Sequence, residues 1–206
     1  VLFRSVLNAT TTLINTNINP GMTYGGDPYD SGNYGSVWTD FDNDGDLDLY
    51  ISHCRQSTSS NTDQRRRDRL FVNDGSNNYT ENAQAYGIEV TDFKQTWTTS
   101  FGDLDNDGDQ DIVMTNHGEN GQILKNDGTG HYTDITAGSG FSTSGFDPIE
   151  SMVEDFDNDG YLDILVSGGG SGNSYLLYHN NHDNTFILTT LPFAAQSNGM
   201  LSFATG

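Results

Sequence analysis

Residues 40–48 read DFDNDGDLD, and the same carboxylate spacing returns at 103–111 as DLDNDGDQD and at 155–163 as DFDNDGYLD. No other feature constrains the fold of this chain so tightly. Like charges about 4 Å apart cost roughly 1–4 kcal/mol per pair near a protein surface. Three such clusters are tolerable only where something positive sits among the carboxylates. Asp, Asn and Gly also make ordinary polar turns, but three copies with one spacing are poorly explained by turn chemistry alone.

The shared pattern is D-x-D-x-D-G-x-x-D. The first copy places Asp40, Asp42, Asp44 and Asp48 at positions 1, 3, 5 and 9. The second places Asp103, Asp105, Asp107 and Asp111 there, and the third Asp155, Asp157, Asp159 and Asp163. Gly45, Gly108 and Gly160 supply the sharp turn. Alternate carboxylates on a tightly curled loop converge on one point. Hard oxygen donors at that density suit Ca²⁺, which takes 6–8 oxygens in flexible geometry; Mg²⁺ prefers few carboxylates and keeps its waters. Zinc favours His and Cys. The expectation is three calcium sites. Position 7 holds Asp46, Asp109 and Tyr161; since tyrosine cannot replace a carboxylate, this position is expected to offer its backbone carbonyl. An EF-hand would need a Glu at position 12 and flanking helices. Ile51, Met114 and Val166 stand there, between β-patterned runs.

The clusters open units that repeat at 63 and 52 residues. Each unit reads strand, aspartate loop, strand, variable loop, strand, tight turn, strand. The turns "NDG" at 73–75 and 126–128 lie between apolar runs, a strong hairpin signal. Four strands at this period predict an all-β fold, a β-propeller segment of four-stranded blades. The calcium loop joins strands 1 and 2 of each blade. The predicted segments are the end of a preceding blade and a linker at 1–33, a blade with an Arg-rich insertion at 34–92, blades at 93–145 and 146–192, and the start of a next blade at 193–206. That makes about three whole blades with a half blade at each end. The halves could close a small ring, pair between chains, or mark a fragment of a longer propeller; the fragment is favoured because the sequence stops mid-repeat.

Composition agrees. The formal charge of −21 disfavours nucleic acid and anionic membranes. Aromatics reach 11%, against disorder. One cysteine, Cys54, permits no intramolecular disulfide and reads as a buried thiol. No apolar run reaches the length of a membrane span.

The tandem "DFDNDGDLDL…RLFVNDG" units resemble the FG-GAP/VCBS repeats, the calcium-loop blades of integrin-α-like β-propellers. "SFGDLDNDGDQDIV" at 100–113 is the nearest match, and the likeness covers about 34–191. The first unit departs by its long insertion "CRQSTSSNTDQRRRDR", and the third by reading Asn-Asn at 180–181 for Asp-Gly. The resemblance implies a seven-bladed parent, calcium in the loops and ligand binding on the opposite face. It implies no single activity.

Nothing in the sequence argues for catalysis. "GGGSG" at 168–172 lacks the glycine that a nucleophile elbow requires after it. None of the five histidines falls in H-E-x-x-H, and His53 and His117 read as loop residues after second strands. Arg55, Arg65, Arg66, Arg67 and Arg69 fall in one insertion; they either neutralise an acidic surface locally or form a contact patch for an acidic partner. Asn8 and Asn78 open N-x-T sequons. Trp38 and Trp97 read as equivalent strand residues packed between blades. The expected role is an extracellular or cell-surface adhesion, ligand-binding or structural module, not an enzyme. Its partners would be a glycan or protein ligand, or copies of itself. A filament subunit joined by strand exchange and an accessory propeller of a secreted polysaccharide-active enzyme are the alternatives.

Overall fold

Threonine, β-branched and aromatic residues flank each aspartate loop, and such residues suit a pleated, buried surface. The computed structural model describes residues 33–54, 66–88, 94–169 and 175–189. The predicted half units at 1–32 and 193–206 lie outside them, as do Asn8, Arg55, Arg65 and residues 170–172 of the glycine run. The first unit is β1 (Asn33–Thr39), β2 (Asp48–His53), β3 (Arg69–Asn73) and β4 (Tyr79–Glu81). The second is β5 (Thr96–Gly102), β6 (Asp111–Asn116), β7 (Gln122–Asn126) and β8 (Tyr132–Asp134). The third is β9 (Asp147–Glu154), β10 (Asp163–Gly169), β11 (Tyr175–Asn180) and β12 (Phe186–Thr189). Each unit is one four-stranded antiparallel sheet with its strands in chain order. Among the described residues, short helical turns stand at Ala83–Tyr86 and Thr136–Ser139.

The sheets stand in a propeller-like row, with β5 in contact with both β1 and β9. Every residue of β2 and β6 is buried, because each of those strands carries packing on both faces. Strand periodicity divides β6 between two cores. Ile112 and Met114 join Phe41, Tyr50, Leu70, Ile88 and Tyr132 between the first and second sheets. Val113 joins Leu104, Ile123, Phe141, Ile164 and Phe186 between the second and third. Position 2 therefore anchors the first two aspartate loops, with Phe41 and Leu104 at 0% and 2% exposure, whereas Phe156 in the third is 38% exposed.

A second repeated contact locks the row. Gly87 and Gly140 adopt φ of +83° and +80°. A Cβ at Gly87 would stand 2.3 Å from the Tyr132 carbonyl oxygen, and one at Gly140 2.3 Å from that of Phe186. Each glycine thus lets a turn lie directly on the last strand of the next unit. Gly87→Ala should destabilise the chain by about 2–5 kcal/mol, from left-handed strain plus overpacking against backbone, measurable by denaturant unfolding.

The strand register corrects two expectations. Thr39 and Gly102 both end a first strand, so Trp38 corresponds to Phe101, and Trp97 to Tyr34. Trp97 lies between units, edge-on to Tyr34 at 4.5 Å and to His117 at 5.0 Å, whereas Trp38 is 48% exposed beside Tyr79. His53 is no loop residue: it ends β2, is 2% exposed, and burial pushes its imidazole down to about 4.

Candidate metal centre

Two left-handed residues curl every aspartate loop. Asn43, Asn106 and Asn158 at position 4 have φ of +59°, +60° and +61°, a region asparagine tolerates. Gly45, Gly108 and Gly160 at position 6 have φ of +95°, +97° and +94°. The curl aims backbone N–H groups inward. Gly45, Gly108 and Gly160 donate to the position 1 carboxylates of Asp40, Asp103 and Asp155 at 3.1, 3.0 and 3.0 Å. The N–H groups of Asp46, Asp109 and Tyr161 donate to the position 5 carboxylates of Asp44, Asp107 and Asp159 at 2.9, 3.1 and 2.9 Å.

The position 9 aspartates begin the second strands and are buried at 1–2% exposure. Asp48, Asp111 and Asp163 accept the backbone N–H of Asn73, Asn126 and Asn180 at 2.8, 2.9 and 2.9 Å. This explains why those three asparagines recur in register. The side chains of Asn126 and Asn180 then stitch the loops together. Asn126 Nδ2 donates to the Phe41 carbonyl at 3.0 Å, and Asn180 Nδ2 to that of Leu104 at 2.7 Å. Each spans from its own unit to the loop of the unit before. Position 4 works the other way: Asn43 Nδ2 donates to the Gly108 carbonyl at 3.2 Å and Asn106 Nδ2 to that of Gly160 at 2.9 Å.

In the first two loops the carboxylates converge at positions 1, 3 and 9. Oxygens of Asp40, Asp42 and Asp48 lie within 4.8 Å of one another, as do those of Asp103, Asp105 and Asp111. In the third loop the corresponding groups are Asp155, Asp157 and Asp159, and Asp157 and Asp163 with His179. Asp46 and Asp109 at position 7 lie instead against the hairpin glycines Gly75 and Gly128, and Asp109 also accepts from Asn43 at 2.9 Å. Tyr161 stacks on His182 at 3.9 Å.

These cradles fit a hard dication. Asp40 Oδ1, Asp42 Oδ1, Asp48 Oδ2 and Asp105 Oδ1 are buried with no hydrogen-bond partner. Orphaned buried carboxylate oxygens carry a desolvation penalty that a bound cation removes. The same strain appears in proton affinities. Burial pushes Asp48 and Asp111 up to about 6, and burial followed by repulsion from Asp44 and Asp40 raises Asp42. The second loop has an internal cation, since Lys125 Nζ contacts Asp105 and lies 3.0 Å from Asp107.

A pH inversion follows. Without metal, folded Asp48 and Asp111 keep their protons to about pH 6, whereas unfolded aspartate releases them near pH 4. The folded chain binds more protons across that window, so its stability falls as pH rises through it. Burial raises Asp68 as well, in the same direction. His53, held neutral by burial, opposes them in this window, losing stability as pH drops below its ordinary value, while Asp74, Asp127, Asp134 and Asp159, held below the usual carboxylate range, oppose them only at lower pH. Three carboxyls outweigh one imidazole. The metal-free chain should melt higher at pH 5 than at pH 7; in calcium, which competes with protons, the order should reverse. Calorimetric scans at both pH values check it.

The arginines satisfy internal acids. Arg66 pairs with Glu119 of the second unit at 2.7 Å, while Arg67 and Arg69 pair with Glu81 at 3.2 and 3.4 Å. Their side chains are only 6–11% exposed, so at these three positions local neutralisation replaces the contact-patch reading. Asn78 is exposed, its amide donating to Asp74 at 2.9 Å. Cys54 is buried.

Sequence reasoning missed the histidines of the third loop. The pairing of β11 with β12 sets Asn181-His182, not Asn180-Asn181, in the places of Asp74-Gly75. His179 Nδ1 lies 3.1 Å from Asp157 and 3.3 Å from Asp163, and His182 Nε2 lies 2.6 Å from Asp159. Counting from Asn180 rather than from the glycine would have revealed them.

A family model described as an FG-GAP-like repeat matches residues 40–114 and again 103–166. No curated protein matches the chain. Each matched span runs from the first aspartate of one loop into the second strand after the next loop, which is the repeat seen in the sheets. The chain belongs to the FG-GAP-like repeat family.

Proposed function

We propose that the chain is a calcium-stabilised propeller module of the extracellular space or cell surface, serving adhesion, ligand binding or architecture rather than catalysis. The observation that carries this reading is the triplicate loop: one hydrogen-bond wiring, used three times, gathers carboxylates, and in the first two loops it leaves buried oxygens of them without partners. Asp40, Asp42 and Asp48 would hold the ion in the first loop, Asp103, Asp105 and Asp111 in the second, and Asp155, Asp157 and Asp163 in the third. Bound calcium supplies charge neutralisation, while the loops themselves position the interunit asparagine bonds. Affinity on the order of 10⁻⁴–10⁻³ M, by analogy with extracellular calcium modules, would suffice where calcium is abundant. Among the described residues no helix is long and apolar enough to cross a membrane.

Thermal melting tests this. Millimolar Ca²⁺ should raise the midpoint well above its value in chelator, with Mg²⁺ giving less; equal midpoints in all three conditions would reject it. A second reading, association between copies, is favoured by apolar side chains exposed in the first and third units: Tyr34 and Trp38, and Phe156, Ile187 and Leu188. Sedimentation that shows only monomer at high concentration would reject that reading.

A further inference from the structure

The third loop differs from its sisters at three positions that meet in space. Where the first two units carry Val72 and Lys125 on the third strand, the third carries His179. Where they carry Gly75 and Gly128 in the hairpin turn, it carries His182. Where they carry Asp46 and Asp109 at position 7, it carries Tyr161.

The last two changes suit each other. A Cβ at Gly75 would stand 2.8 Å from Asp46 Oδ2, and one at Gly128 2.9 Å from Asp109 Oδ2. A side chain in that turn would push the carboxylate aside, and in the third loop there is none to move. With Tyr161 in its place, the imidazole of His182 stacks on the phenol ring at 3.9 Å and 11°. That stacking directs Nε2 to Asp159 Oδ2 at 2.6 Å. His179 enters from β11. One ligand atom from each of Asp159, His179 and His182 lies within 4.8 Å of the other two, and His179 also borders Asp157 and Asp163. Both imidazoles are partly open to solvent, at 32% and 43% side-chain exposure, so an ion has a path in.

We propose that the third loop is a mixed nitrogen–oxygen site for a first-row divalent transition ion, of which Zn²⁺ is the test case, held by His179, His182 and Asp159. Imidazole nitrogen is a ligand for zinc, nickel and copper, whereas calcium takes oxygen. Two imidazoles and a carboxylate supply three of the four positions of a tetrahedral zinc site, with water for the fourth. The proposal rests on the reading that these loops hold dications, and adds that the third prefers a different one.

The test is a calorimetric titration of Zn²⁺ into the 206-residue chain kept in millimolar Ca²⁺, with Co²⁺ absorption as a spectroscopic reading of nitrogen ligation. One ion per chain should bind against that calcium. His182→Gly and His179→Val carry the residues the sister units use at those places. Each should weaken Zn²⁺ binding by at least about 10–100-fold, the loss typical of even an outer-sphere partner. Both should keep the calcium-dependent melting of the parent, which shows them folded with the first two loops intact. Asp42→Asn in the first loop should leave zinc binding unchanged. Zinc binding that is absent, displaced by calcium, or unaltered in both histidine variants overturns the proposal. Zinc bound as expected in a chain that calcium fails to stabilise would instead reject the calcium reading and leave this one standing.

Discussion

Asn126→Ala should cost about 3–5 kcal/mol of unfolding free energy, in calcium and in chelator alike. Asn126 is 1% exposed and uses its whole side chain. Its Nδ2 donates to the Phe41 carbonyl at 3.0 Å and to that of Gln110 at 3.3 Å. Its Oδ1 accepts the N–H groups of Gly128 and Gly130 at 3.1 and 3.0 Å. Truncation leaves buried backbone groups unpaired, at about 1–3 kcal/mol each. Since the Phe41 bond joins the second unit to the loop of the first, the loss should also lower the cooperativity of unfolding between units. Asn126→Asp keeps the acceptor and loses the donors, so it should fall between wild type and alanine. A cost below about 1 kcal/mol for the alanine variant would mean the asparagine staple is incidental.

Asp42→Asn should change sign with calcium. Asp42 Oδ1 is buried without a partner, and burial with Asp44 and Asp40 nearby disfavours its charge. In chelator, removing that charge relieves repulsion, and the variant should be as stable as wild type or more so. In saturating calcium a ligand is lost. Calcium affinity depends on ligand charge, and a tenfold to hundredfold loss corresponds to about 1.4–2.7 kcal/mol. The variant should then melt below wild type. The first loop is the right place for this comparison, because the second has Lys125 among its carboxylates and the third has two histidines. Destabilisation of equal size in both media would make Asp42 an ordinary structural residue.

Much of this was legible in the sequence because the repeat displays it three times. The D-x-D-x-D-G-x-x-D spacing gave the loop, and the β-branched flanks gave the strands on either side. The positions that converge in the first two loops, 1, 3 and 9, were among those expected. What spacing could not reveal is the wiring between units. Asn43 and Asn126 read as turn residues by composition; only the stacking of sheets shows that they reach carbonyls of neighbouring loops 65 and 85 residues away. The arginines left two readings open for a related reason. Charge in an insertion looks exposed until Glu81 and Glu119, distant in sequence, cover it. The two tryptophans were matched by residue type rather than by register, and the strand pairing separates them by four residues. His182 was missed through a one-residue offset in the third turn, where a histidine at φ +66° occupies the place of a glycine.

Anomalous scattering from crystals grown in millimolar calcium, free of transition metals, tests the central claim most directly. A calcium peak should stand among Asp40, Asp42 and Asp48, and others among the aspartates of the second and third loops, with the sheets as described. Loops that keep this curl and these carboxylate positions in such crystals, with no anomalous density among them, would contradict it.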